Sequence, residues 1–204
     1  LPAFNVQSTI NLALASILLQ ENCDFEVIVV DDCSSDQTPH ILSRYAQSDS
    51  RVKIVRLLQN SGEGVARNTG IAEATGVYVA AQDGDDISLP YRLALQSQFL
   101  DRTTEIDWVS TWGYTINNKY QIQGLLKTPI QPNNIKSHLV NGKMSIVGAS
   151  MMANREAVLK CGGYRQVINP DYALARHFVC SHQLSALPYP LYAFQPVLPH
   201  KQVS

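Results

Sequence analysis

Three carboxylates stand within four residues at Asp83-Gly84-Asp85-Asp86. Held in one ordered loop they repel, and each makes its neighbours harder to ionise. A divalent cation relieves that cost. Oxygen ligands suit Mg²⁺ or Mn²⁺, which are commonly held by one or two carboxylates plus substrate phosphates. A solvated acidic turn would use the same residues. What separates the two is the apolar run Val77-Tyr78-Val79-Ala80-Ala81 in front, which places the acids at the carboxyl end of a strand. A second pair, Asp31-Asp32, closes another apolar run. A carboxylate there can accept two hydrogen bonds from a base edge or a ribose, although Asp31, Ser34 and Asp36 also suit a turn and a helix cap. Arg67 and Asn68 follow a loop bearing Asn60, Gly62 and Gly64. An Arg near a helix N-terminus favours phosphate. Neither a Gly-Lys-Ser/Thr phosphate loop nor GxGxxG is present, so a dinucleotide-dependent dehydrogenase is not expected.

These residues need a scaffold, and the first two thirds of the chain read as alternating strands and helices. Ile10, Ala13, Leu14, Ile17 and Leu18 mark one face of a helix over residues 7–20. Residues 25–30 form a short, β-branched run expected as a buried parallel strand. Thr38-Pro39 is expected as N-cap and first turn of a helix carrying Ile41, Leu42, Tyr45 and Ala46. A strand over 52–58, a helix over 65–74 stopped by Gly76, a strand over 77–81 and a helix over 90–100 follow. This order predicts an α/β, doubly wound, mostly parallel sheet, in which ligands sit beyond the carboxyl ends of strands. The last third is less regular. Strands are expected at 106–112 and 146–153, a loop or flap over 121–136, and a short helix at 155–160 ended by Gly162-Gly163. A mostly extended tail is expected around Pro188, Pro190, Pro196 and Pro199. Trp108, Trp112 and Tyr114 are read as core aromatics, and Met151 and Met152 as packing.

Composition narrows the class. The chain has 204 residues, with 16 Lys plus Arg against 17 Asp plus Glu, a net charge of −1. That balance argues against a nucleic-acid or anionic-membrane surface. No apolar run approaches the ~20 residues of a membrane-spanning helix. Cys23, Cys33, Cys161 and Cys180 form no CxxC pair and lack zinc-ligand spacing, which suits reduced thiols in a cytosolic protein. The chain opens on Leu1 directly before a motif, so residues are expected to precede it.

Five segments, taken in order, resemble family 2 glycosyltransferases. Residues 1–5, Leu-Pro-Ala-Phe-Asn, are similar to that family's P-x-Y/F-N opening. Residues 26–38 resemble E-I-I-V-V-D-D-G-S-T-D-x-T. Asn60-Ser61-Gly62 with residues 66–70 resembles N-x-G…A-R-N-x-G. Residues 82–86 with Pro90 and Arg92-Leu93 resemble D-A-D-D…P-x-R-L, and residues 162–165 resemble G-G-Y-R. The resemblance implies a GT-A fold over one domain, 1–204. Residues 1–100 would form the nucleotide-sugar half and 101–204 the acceptor half. It implies inverting, metal-dependent transfer from a nucleotide diphosphate sugar, such as a UDP-sugar, to a glycan or lipid-linked acceptor. Bacterial cell-surface polysaccharide or glycolipid synthesis is the expected setting, in the cytoplasm, with peripheral contact at the inner membrane face left open. By motif, Pro2 and Phe4 lie near the nucleobase, Asp32 bonds it, and Arg67 sits by the base or diphosphate. Asp83, with Gly84, reaches the ribose, and Asp85 and its neighbour Asp86 hold Mn²⁺ or Mg²⁺.

The catalytic base departs from the pattern. The family's E-D-x-x-L-x-x-R segment is matched only by residues 170–176, Pro-Asp-Tyr-Ala-Leu-Ala-Arg, with Pro for Glu and Arg one residue early. Asp171 is the candidate base. The alternative is that a segment between Arg165 and Asp171 is missing and the base with it. A nucleotide-sugar-binding module without efficient turnover is the competing function. His200 could stand by the metal and diphosphate, or be a solvated tail residue.

Overall fold

The structure, a computed structural model, describes residues 1–196. Its first half is built on a three-stranded parallel sheet in the order β1 (Pro2–Ala3), β2 (Val27–Asp31), β3 (Val52–Arg56). Every residue of β2 is buried, because alternate side chains serve two cores. Val27 and Val29 pack with Ile10, Leu14 and Ile17 of α1 (Ile10–Leu18) and Leu42 of α2 (Thr38–Ser48). Ile28 and Val30 face the other way, onto Ala66 of α3 (Glu63–Glu73). The apolar spacing expected for the first helix is the face α1 buries. Thr38 is not the N-cap but the first residue inside α2. The capping oxygen belongs to Asp36, whose Oδ1 accepts from Thr38 N at 2.9 Å, while Thr38 Oγ1 accepts from Val6 N at 2.9 Å.

The second sheet is mixed. β4 (Tyr78–Ala80), β8 (Met152–Asn154), β6 (Trp108–Ile116), β9 (Leu184–Phe194) and β5 (Ile87–Ser88) lie in that order, and β7 (Ile122–Leu126) pairs with β6. Only β6 and β9 run parallel in it, so the mostly parallel arrangement holds for the first half alone. Between the sheets, Val27 and Ile28 of β2 and Val79 and Ala80 of β4 line an apolar cavity of about 410 Å³, which backs onto Arg67 and Gln82. Helix α4 (Arg92–Arg102) follows β5.

Two expectations in the last third are corrected. Residues 121–136 are not one loop: they hold β7 and the start of α5 (Pro132–Val140), which Pro132 opens from the first turn. Ile135 and Leu139, four apart, are both fully buried. Residues 146–153 are not a continuous strand. A 3₁₀ turn at Gly148–Ser150 interrupts them, and only the last part becomes β8. Beyond the short helix α6 (Arg155–Lys160), the chain is more ordered than its sequence suggests. Helix α7 (Pro170–Phe178) is capped by Asn169, whose side chain accepts from Tyr172 N. The proline-rich stretch becomes β9. Pro lacks an N–H for the ladder and belongs at irregular positions; the β6–β9 register slips between Thr111 and Gly113, where Pro188 and Pro190 lie opposite.

Trp108 is fully buried, its ring edge-on to Phe178 at 5.4 Å, and Met151 and Met152 are core. Trp112 is only half-buried and carries Lys127 over its ring at 5.3 Å. The four thiols are free. Among the described residues, no helix is long and apolar enough to cross a membrane.

Candidate active site

The acidic loop connects β4 to β5 at the carboxyl end of β4. One carboxylate oxygen from each of Asp83, Asp85 and Asp86 lies within 4.8 Å of the others. Asp86 is buried. Burial, then the charges of Asp83 and Asp85, push its carboxyl up to about 8. Asp85 is raised as well, by desolvation and by Asp83. Carboxyls that raise one another this far are short of positive charge. Three hard oxygen donors converging at that spacing fit a Mg²⁺- or Mn²⁺-sized cation. Asp83, Asp85 and Asp86 are the residues that would hold it.

Arg67 ties this loop to α3. It is buried, and its guanidinium pairs with Asp83 and, at 2.8 Å, with Glu63. Burial alone would lower its pKa, but Asp83 and then Asp171 outweigh it and hold it well above its usual value. Arg67 is therefore a fixed buried cation, not the solvated helix residue its place in the sequence also allowed. The Tyr164 ring lies 5.2 Å from its guanidinium carbon. Asn68 fastens Tyr164 from both sides, accepting from Tyr164 N and donating to Tyr164 O, each at 2.8 Å.

The other motifs meet the same rim. Asp32 lies just past β2, and its two oxygens accept from Ser61 N at 2.7 Å and Gly62 N at 2.8 Å. Gly62 has φ +87°, a conformation few other residues adopt, and it starts α3. Asp32 thus anchors the loop that launches the Arg67 helix and keeps lone pairs for a second partner. Asp31 is a turn anchor, accepting from Ser34 N at 3.0 Å. Phe4, just beyond β1, is 46% exposed, enough to offer a ring face. Gly84 sits against the Pro2 carbonyl and Val6: a Cβ there would be 3.4 Å from each. Pro2, Phe4, Asp32, Arg67 and the acidic loop therefore share one edge of the molecule.

Asp171 opens α7, and its Oδ1 is buried without a hydrogen-bond partner. Burial raises its pKa, Arg67 pulls it back, and Asp83 and Glu63 raise it further. It belongs to the same electrostatic cluster as Arg67. Gly148 makes room for it: a Cβ at 148 would stand 2.5 Å from the Asp171 Cβ. The sequence offered no reason to single out Gly148 or Tyr192, and it showed Tyr164 only as part of a motif without a role. Tyr192, in the proline-rich stretch, is fully buried, and its hydroxyl accepts from Asp83 N at 3.1 Å. Arg92 was visible as part of a motif but without a role. His200 and Pro199 lie outside the described residues.

The chain matches the family model described as glycosyl transferase family 2 over residues 1–163. It is 33% identical over 166 residues to a putative glycosyltransferase, EpsE, of Bacillus subtilis, covering 80% of this chain and 58% of that protein. It is 40% identical over 99 residues to the putative teichuronic acid biosynthesis glycosyltransferase TuaG of the same organism, covering 48% and 39%. It is 35% identical over 96 residues to WfgD of Escherichia coli, named a UDP-Glc:alpha-D-GlcNAc-diphosphoundecaprenol beta-1,3-glucosyltransferase, covering 47% and 37%. In each case the chain spans roughly three fifths of the relative or less. Among solved structures, Staphylococcus aureus TarS 1–349 in complex with UDP-GlcNAc superposes at TM-score 0.78 with 22% identity, over 98% of this chain and 58% of that one. The mannosyltransferase PcManGT of Pyrobaculum calidifontis, in complex with GDP-Man and Mn²⁺, superposes at 0.72 with 20% identity, over 98% and 56%. These likenesses show a GT-A fold, and with the family match they place the chain in glycosyl transferase family 2.

Proposed function

We propose that the protein transfers a sugar from a nucleotide diphosphate sugar, of the uridine type, to an acceptor hydroxyl, with inversion and with a divalent cation. The observation that carries this reading is the convergence of Asp83, Asp85 and Asp86 within 4.8 Å beside the buried Arg67. A departing nucleoside diphosphate gains negative charge in the transition state, and a bound divalent cation supplies Lewis-acid stabilisation of that charge. In this reading Phe4 and Pro2 border the base, and Asp32 accepts from it with its remaining lone pairs. Asp83 and Gly84 border the ribose, and Asp85 and Asp86, with Asp83 completing the cluster, hold the ion. Arg67 pairs with Asp83 and fixes its orientation. Asp171 takes the proton of the acceptor hydroxyl on the face of the sugar opposite the diphosphate. Its raised pKa makes it a stronger base than an exposed carboxylate.

Residues 1–100 are proposed as the donor half and the remainder as the acceptor half. The relatives' names support a role in bacterial surface polysaccharide or glycolipid synthesis, with a glycan or lipid-linked acceptor. A second reading, donor binding without efficient turnover, is favoured by one observation: Asp171 Oδ1 is buried rather than open to an acceptor. Donor hydrolysis in the presence of Mn²⁺ separates the two. Metal-dependent release of nucleoside diphosphate from a UDP-sugar supports the transferase. Tight UDP binding with no release supports the module.

A further inference from the structure

Behind the acidic loop lies a buried cation to which the proposed reaction assigns no step. Arg92 is fully buried, and it makes no ion pair among the described residues. Its Nη2 donates to Ala81 O at 2.6 Å, and its Nη1 to Ser88 Oγ at 2.9 Å and Gln82 Oε1 at 3.4 Å. Its guanidinium carbon stands 4.9 Å from the Tyr192 ring centroid. All of these partners are neutral. A charge so deeply desolvated needs compensation from somewhere, and the nearest is the acidic loop, through two intermediaries.

Gln82 is the first. Its Oε1 accepts from Ser88 Oγ at 2.7 Å, while its Nε2 donates to the backbone oxygens of Asp83 at 3.0 Å and Asp86 at 2.9 Å. One carboxamide thus straps both ends of the loop and is itself held by Ser88 and Arg92. Tyr192 is the second: its hydroxyl accepts from Asp83 N, and its ring lies under the Arg92 guanidinium.

We propose that Arg92 and Gln82 are positioning residues for metal binding: a neutral strap braced by a buried cation holds the three carboxylates convergent. This rests on the reading of the acidic loop as a divalent-cation site. Neither residue touches the ion or the sugar.

Two charge-preserving variants test it, because neither changes the electrostatic pull on the ion. Gln82→Met keeps volume and loses the strap. Arg92→Lys keeps the charge and cannot reach all three acceptors. Mn²⁺ binding to the full chain is read by electron paramagnetic resonance without nucleotide, beside thermal melting and far-UV circular dichroism. The expected result is a folded Gln82→Met protein whose Mn²⁺ dissociation constant rises at least tenfold, with a smaller rise for Arg92→Lys. UDP binding without metal is expected to be unchanged. Folded variants with wild-type Mn²⁺ affinity overturn the proposal and leave the network a packing feature. If Arg92→Lys fails to fold, Gln82→Met decides alone. Asp85→Ala separates this failure from that of the site. If Asp85→Ala loses Mn²⁺ and Gln82→Met does not, only the positioning role falls. If the wild-type chain binds no Mn²⁺, both readings fall.

Discussion

The two sheets were written into the sequence in different ways. In the three-stranded sheet, each element that matters is completed within a few residues of its signal. β2 is a continuous buried run, the acids that end it are its next neighbours, and α3 begins one loop after β3. In the six-stranded sheet, the partner is far away. β6 pairs with β9 from Trp108↔Leu184 to Thr115↔Phe194, across most of the second half of the chain. The first sheet sets out Asp32 and, through the loop that Asp32 anchors, the helix carrying Arg67. The second carries the acidic loop after β4, the residues that brace it from behind, Tyr192 and Arg92, and the helix α7 that bears Asp171 beside it. Local patterning finds the strand-end acids and Arg67, whereas the bracing by Tyr192 and Arg92 shows only in the structure.

Three measurements can break or sharpen this contrast. The largest effect is expected for Asp171→Asn in the second half. It should leave UDP affinity intact and lower transfer by about 10²- to 10⁴-fold, the range for losing a general base. Wild-type turnover would remove Asp171 from the reaction and leave chemistry to the first half alone. Next is Trp108→Ala. Trp108 is fully buried against Phe178, and such truncations cost about 3–5 kcal/mol. Chemical denaturation should show that loss, with UDP binding retained where the protein remains folded. A loss below about 1 kcal/mol would mean that the mixed sheet does not rest on this contact.

The smallest effect is a pH dependence centred on the acidic loop of the first half. The Asp86 carboxyl stands near 8 when folded and near its ordinary 3.9 when unfolded. The folded state thus takes up a proton as pH falls through 8 while the unfolded state does not, and stability rises in that direction. Asp85 and Asp171, also raised, act the same way. Without metal, the melting temperature should climb between pH 8.5 and 6. Saturating Mn²⁺ should flatten the climb, because the ligands are then held ionised. A metal-free profile that falls toward pH 6 would contradict the crowding of these carboxyls.

How far the sequence could be read follows the same division. The helix face of Ile10, Ala13, Leu14 and Ile17 is the face that α1 buries. The expected strand ends carry Asp32 and Asp83–Asp86 to one rim, and Arg67 joins Asp83 there. The family resemblance carried much of this, since each motif by itself allowed a solvated turn or a surface Arg. Helix α7 and strand β9 were obscured by proline, which marks breaks locally but here opens a helix at Pro170 and sits in a strand irregularity at Pro190. Residues 121–136 looked polar and loop-like because only Ile135 of that stretch is fully buried in the core. Gln82 stood at the edge of a motif but without a role: a neutral amide beside three acids shows its use only when its hydrogen bonds are seen.

The most direct measurement is calorimetric titration of UDP into the wild-type chain and into Asp85→Ala, each with and without Mn²⁺. Wild type should bind more tightly with Mn²⁺ by at least tenfold, or about 1.4 kcal/mol. In Asp85→Ala the two titrations should coincide while circular dichroism stays unchanged. Equal wild-type affinities with and without the ion, or a full Mn²⁺ response in the variant, would contradict the assignment of the Asp83–Asp86 loop as the seat of the cation.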